Sequence, residues 1–229
     1  MNITKVLLIE DSKEIVQAIR LGLSVRWPEA RLFSAGLGRT GIELAERESP
    51  DIIILDLGLA DMSGFDVLKR LRDFSKIPIL ILTVRFEEQN IVRALEEGAD
   101  DYMTKPFKQL EFLARVKALV RRASPQSLET LTVGQIKFEP VTLTLFKEDQ
   151  QINLTRTEGL VMSHLMRNAG IIVTYASLAE AVWGVDYPDA NNSLKVHIRR
   201  LREKVENDAA NPVFILNKPN VGYYIPKPD

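Results

Sequence analysis

Asp51-Ile52-Ile53-Ile54-Leu55-Asp56-Leu57-Gly58-Leu59 decides the fold. Ile52 to Leu55 are apolar without alternation, so the strand they form is buried on both faces. A carboxylate, Asp56, closes the run. Lys5-Val6-Leu7-Leu8-Ile9 has the same character and is closed by Glu10-Asp11. Ile79-Leu80-Ile81-Leu82 is a third such run, closed by Thr83. Weaker strand signals lie at Arg31–Ser34 and near Asp101-Tyr102-Met103. Helical patterns separate them. Ser12 can cap a helix whose apolar positions are Ile15, Ile19 and Leu23. Further helices are expected around Gly41–Arg47, Gly64–Phe74, Glu87–Glu97 and Gln109–Arg122. Five β–α repeats predict a five-stranded parallel, doubly wound α/β domain over residues 1–122.

Ligands of such sheets bind beyond the carboxyl ends of the strands. Glu10, Asp11, Asp56, Thr83 and Lys105 should all converge on that edge. Clustered carboxylates favour a hard divalent cation such as Mg²⁺. An ammonium and a hydroxyl opposite them suit the oxygens of a phosphoryl group, with a carboxylate as nucleophile.

A linker is expected at Ala123-Ser124-Pro125-Gln126-Ser127, and the character changes beyond it. Residues 131–153 carry β-rich stretches broken by Glu139-Pro140 and by Lys147-Glu148-Asp149-Gln150. Thr155-x-x-Glu158 looks like a capping box opening a helix over Leu160–Arg167. Helices about Tyr175–Trp183 and Ser193–Asn207 follow, then a β-like tail with a Pro219-Asn220 turn. In the last helix Leu194, Ile198, Leu201 and Val205 fall within an arc of roughly 60°, the expected core face. Lys195, His197, Arg199, Arg200, Arg202 and Lys204 cover the rest.

Composition sets bounds on these readings. The 229 residues are 45% hydrophobic and 27% charged, with net charge −1. Residues 1–122 hold 19 basic and 19 acidic side chains, and the remainder 11 and 12. A nucleic-acid site must therefore be a local patch. The absence of cysteine excludes disulfides, zinc-thiolate centres and cysteine nucleophiles. No apolar run has transmembrane length, and the first is too short for a signal peptide. A cytoplasmic protein without membrane contact is expected, and the N-x-S/T matches at Asn2, Asn153 and Asn191 are chance.

Several motifs resemble the receiver domain of two-component response regulators: Glu10-Asp11, Asp56-Leu57-Gly58-Leu59 with Gly64, Leu82-Thr83, Gly98-Ala99-Asp100-Asp101-Tyr102 and Lys105-Pro106-Phe107. The resemblance implies Asp56 as acceptor of a phosphoryl group from a cognate sensor histidine kinase. It implies Mg²⁺ held by Asp11, Asp56 and the Gly58 carbonyl, with Glu10 helping. Thr83 and Lys105 would bind phosphoryl oxygens, and Tyr102 would move with Thr83. A phosphorylated homodimer would use Glu96, Asp100, Asp101, Glu111, Arg115 and Lys117. Self-dephosphorylation would be slow, and no other enzymatic activity is expected. The Lys105–Pro106 bond is a candidate cis peptide.

The second half is similar to the OmpR/PhoB winged-helix domain over residues 128–229. The similarity rests on Leu154-Thr155 with Glu158, Val182-Trp183-Gly184, Val196-His197-Ile198-Arg199-Arg200-Leu201-Arg202 and Val221-Gly222-Tyr223. It implies an α+β winged helix-turn-helix domain on double-stranded promoter DNA, with RNA polymerase as a further partner. Ser193, Lys195, His197, Arg199, Arg200, Arg202, Lys204 and Lys218 would be its DNA contacts. Three positions depart from the family: Val84 after Thr83, Ile91 for a basic residue, and Pro219-Asn220 for arginine-glycine in the wing. Gly36-Leu37-Gly38-Arg39-Thr40-Gly41 matches a dinucleotide fingerprint only literally, because the first β–α turn carries carboxylates instead. A Mg²⁺-dependent phosphatase with Asp56 as nucleophile is a rival reading, but it leaves the basic helix idle. A DNA-binder with a vestigial pocket is another, opposed by the intact Asp56, Thr83 and Lys105.

Overall fold

The computed structural model describes residues 3–84, 88–121, 129–184 and 190–227. The chain forms two compact units, Met1–Ala123 and Ser124–Asp229. The expected linker, 123–127, lies outside the described residues.

In the first unit the apolar runs become β1 (Lys5–Ile9), β3 (Ile52–Asp56) and β4 (Ile79–Thr83), with β2 (Arg31–Ala35) and β5 (Asp101–Thr104) at the edges. All pairings are parallel, in the order β2-β1-β3-β4-β5. Helices α1 (Lys13–Arg26), α2 (Gly38–Glu48), α3 (Gly64–Phe74), α4 (Glu88–Glu96) and α5 (Gln109–Arg121) alternate with the strands. Ser12 caps α1 by accepting from the Ile15 N–H, as its position predicts. Val6, Leu8, Ile52, Ile54, Leu80 and Leu82 line one sheet face and pack with Ile19, Leu23, Phe112 and Val116 of α1 and α5. Leu7, Ile53, Leu55 and Ile81 point the other way and are equally buried, as runs without alternation require. A Cβ on Gly64 would stand 2.4 Å from Leu57 Cα and 2.5 Å from the Asp56 carbonyl oxygen. Only glycine lets α3 begin this close to the end of β3.

The second unit opens with an antiparallel sheet, β6 (Leu131–Val133), β7 (Ile136–Glu139), β8 (Thr144–Lys147) and β9 (Gln150–Asn153). Helix α6 (Arg156–Arg167), strand β10 (Val173–Thr174), helices α7 (Tyr175–Trp183) and α8 (Ala190–Val205), and the hairpin β11 (Leu216–Lys218) and β12 (Gly222–Tyr224) follow. The last three strands order as β10-β12-β11. This is a winged helix-turn-helix. Several boundaries differ from expectation. Leu143 takes φ 54°, so β8 begins only at Thr144, beyond the Glu139-Pro140 break. Gln150, expected within a break, starts β9. Among the described residues, no helix is long and apolar enough to cross a membrane.

Candidate functional site

The parallel sheet delivers its strand ends to one edge. Asp56 is in register with Leu82, and Thr83 with Thr104, which precedes Lys105. The Lys105 N–H donates to the Thr83 carbonyl at 2.8 Å, locking the β4 and β5 ends together. The Lys105–Pro106 bond is cis. Lys105 Nζ lies 2.5 Å from Glu10 Oε2 and 2.9 Å from Asp56 Oδ2. Glu10, Asp56 and Thr83 are buried, whereas Asp11 is exposed. The place of a Cβ on Gly58 is 3.6 Å from Asp56 Oδ2, so the loop after β3 folds back over the carboxylate. Tyr102 is half-buried on β5.

Glu10, Asp11 and Asp56 each bring a carboxylate oxygen within 4.8 Å of the others. Burial pushes the Glu10 carboxyl above the usual carboxylate range; Lys105 opposes this and Asp56 adds to it. Three carboxylates face one ammonium, a surplus of anionic oxygen donors. That donor set fits a hard divalent cation.

The dinucleotide-like glycines serve the fold. Asp61 accepts from the N–H groups of Gly38 and Arg39, at 2.8 and 3.1 Å, at the start of α2. A carboxylate of this chain thus occupies the position a phosphate would take. Beta carbons on Gly38 and Gly41 would strike Met62, Val67 and Ile9, so both positions must stay small for packing.

Among the residues expected at a dimer interface, Asp100 is tied into its own chain. It is buried, accepting from Arg72 Nη2 at 2.7 Å and from the Ile79 N–H at 3.0 Å. Arg72 thereby staples α3 to the turn before β5. Arg115 pairs within the chain, at 3.1 Å from Asp101 and 2.8 Å from Glu111. Glu96 is half-buried, Lys117 exposed and Ile91 half-buried.

The expected DNA contacts also separate. Leu194, Ile198, Leu201 and Val205 are buried, as the helical spacing predicts. Lys195, Arg199 and Lys218 are exposed. His197 is fully buried with its ring 5.9 Å from that of Trp183, which removes it from the DNA-facing set. Its wheel position lies about 40° from Leu201 at ~100° per residue, a signal that could have identified it. Ser193 is buried too and is likewise corrected. Arg200, Arg202 and Lys204 are engaged with partners inside the second unit. In the wing, Asn220 takes φ 62°, a left-handed conformation that asparagine tolerates in place of the family's glycine. A Cβ on Gly222 would stand 1.9 Å from the Val173 carbonyl oxygen, so the wing needs glycine there to pair with β10.

The response regulator receiver domain family matches residues 6–117, and the family described as transcriptional regulatory protein, C terminal, matches residues 149–225. Over 223 residues the chain is 37% identical to the transcriptional regulatory protein KdpE of Mycobacterium tuberculosis, covering 96% of this chain and 98% of that protein. The chain belongs to the OmpR/PhoB-type response regulators. This response regulator is also 36% identical over 225 residues to the sensory transduction protein RegX3 of Mycolicibacterium smegmatis, covering 96% and 98% of the two. DrrB of Thermotoga maritima, an OmpR/PhoB homologue, matches with TM-score 0.52 and 27% identity over 98% of this chain and 99% of that one. A mutant of RitR matches with TM-score 0.80 over 98% and 100%; at 24% identity it shows the fold alone.

Proposed function

We propose that this regulator switches its DNA binding by phosphorylation of Asp56. One observation carries the reading: the Asp56 carboxylate, the Lys105 ammonium 2.9 Å away and the Thr83 hydroxyl share one buried strand edge. The Asp56 carboxylate attacks the phosphorus of a phosphohistidine on a sensor kinase. The P–N bond breaks, the imidazole leaves, and an acyl phosphate forms. Lys105 and Thr83 then hold the phosphoryl oxygens. Glu10, Asp11, Asp56 and the Gly58 carbonyl would hold Mg²⁺, which neutralises charge on those oxygens. Water hydrolyses the acyl phosphate slowly, so the pocket resets without another enzyme.

Phosphorylation shifts an existing equilibrium toward a receiver that pairs with a second copy. Glu96 with Lys117, and Asp101 and Glu111 with Arg115, are the charges that would exchange partners in that pairing. In relatives a basic residue at the position of Ile91 would pair with the acidic residue matching Glu111 across the dimer; single surface pairs are weak, so Ile91 need not prevent pairing. Two winged helices then reach adjacent half-sites of promoter DNA about one helical turn apart. Tethering them multiplies their affinities. The protein would work in the cytoplasm, with RNA polymerase as a further partner. Gel-shift titration tests this with wild type and Asp56→Ala, each treated with acetyl phosphate and Mg²⁺. Only treated wild type should gain affinity. Equal affinity in all samples would sink the reading.

A further inference from the structure

The basic side chains of α8 leave the helix on two sides. Measured from Leu194, Lys195 and Arg199 lie at about 100° and 140°, Arg202 at about 80°, and Arg200 and Lys204 at about 240° and 280°. Lys204 Nζ donates to Glu158 Oε2 at 2.6 Å and to the Asn153 carbonyl at 3.1 Å. Arg200 Nε lies 3.3 Å from Glu158 Oε1, and its side chain is only 14% exposed. On the opposite flank, Arg202 Nε and Nη2 both donate to the Ile215 carbonyl, at 3.0 and 2.8 Å. Lys147 of β8 closes the helix end by donating to the Val205 carbonyl at 2.9 Å. The Arg199 side chain, by contrast, is 66% exposed and pairs along the helix surface with Glu203.

Glu158 is the pivot. It is fully buried and closes the α6 capping box by accepting from the Thr155 N–H at 2.8 Å. Burial pushes its carboxyl up, but Lys204 and Arg200 outweigh this and hold it below the usual range. A buried carboxylate that loses a cation is strongly disfavoured. Arg200 and Lys204 are therefore poor donors to a DNA phosphate.

We infer that α8 divides its cations: Lys195 and Arg199 take the DNA phosphates, while Arg200, Arg202 and Lys204 are positioning residues, with Glu158 fixing the angle of the helix. This rests on the DNA-binding reading above. It predicts a DNA interface carried by the exposed face of α8 that holds Lys195 and Arg199, and by Lys218 of the wing.

The salt dependence of binding separates the roles, because each phosphate contact contributes about 0.9 to the slope of log affinity against log salt. The full chain, treated with acetyl phosphate and Mg²⁺, is titrated onto mixed-sequence duplex DNA. Lys195→Met and Arg199→Met should each reduce the slope by about 0.9 per protomer. Lys204→Met should lower the unfolding temperature of the second unit and leave the slope at the wild-type value. A slope reduced by about 0.9 in Lys204→Met overturns the division. Glu158→Gln keeps a side chain that can close the capping box but releases its cations, so its slope should steepen; an unchanged or shallower slope also overturns the inference. Wild type that fails to bind duplex DNA would remove the DNA-binding reading itself, and the division with it.

Discussion

The two functional regions collect charge in opposite ways. At the receiver edge, Glu10, Asp56 and Lys105 come from three strand ends far apart in sequence, yet both carboxylates lie within 2.9 Å of the ammonium. On α8, six basic and imidazole side chains lie within ten residues of one another and diverge. Parallel strands point their carboxyl ends the same way, so topology gathers distant residues. A helix turns each successive side chain by about 100°, so it scatters neighbours. Proximity in sequence therefore overstates the DNA surface, and the carboxylate pocket is found only through the order of the strands.

The largest expected effect tests the gathered site. Asp56→Asn removes the nucleophile while keeping the side-chain shape. Labelling by acetyl phosphate with Mg²⁺, followed by intact-mass spectrometry, should fall to zero. Residual stoichiometric labelling would place the acceptor elsewhere, with Asp11 the first candidate.

Lys105→Met comes next. It preserves much of the buried stem but removes the only ammonium paired with both Glu10 and Asp56 among the described residues. Loss of one preorganised stabilising group typically slows a reaction by about 10²–10³-fold. The initial labelling rate should fall by that order while folding persists. A change below tenfold would mean that the pocket's cation does not act on the transferred group.

Legibility in the sequence follows the same divide. Strands β1, β3 and β4 can be read because an uninterrupted apolar run of four residues, closed by a polar one, suits a strand buried on both faces, and the carboxylate edge follows from their order. Strand β10 leaves no signal, since two residues, Val173 and Thr174, show no periodicity. Glu158 is legible as a capping residue but not as the partner of Lys204, 46 positions away, because no local pattern encodes that contact. Asp61 is silent for the same reason: its partners at Gly38 and Arg39 lie more than twenty residues earlier. His197 is easily miscounted because a basic helix invites counting of every polar side chain, although its angle places it beside the core stripe.

Glu158→Ala probes the scattered site at its anchor. Removing one partner from a buried ion pair typically costs about 3–5 kcal/mol. The second unit should unfold at a markedly lower denaturant concentration, with the first unit unaffected. The pH dependence has a definite sign. A depressed carboxyl contributes stability that is complete above its unfolded-state value, near ~4.3, and is lost as pH falls through the folded value. Wild type should therefore lose second-unit stability in acid more steeply than Glu158→Ala. Parallel acid profiles would show that the carboxylate is not held ionised by Lys204 and Arg200.

The smallest effect concerns the wing. Asn220 sits at φ 62° in a turn closed by the Val221 N–H on the Lys218 carbonyl, 3.0 Å. Asn220→Gly should be nearly neutral, because both residues accept this conformation. Asn220→Val, β-branched, should cost about 1–2 kcal/mol. The strain falls two residues from Lys218, so DNA affinity should drop along with second-unit stability. If Asn220→Val loses stability while binding DNA as tightly as wild type, Lys218 is not part of the interface. The phosphate contacts would then rest on Lys195 and Arg199 alone, and the wing would add nothing to the DNA surface of α8.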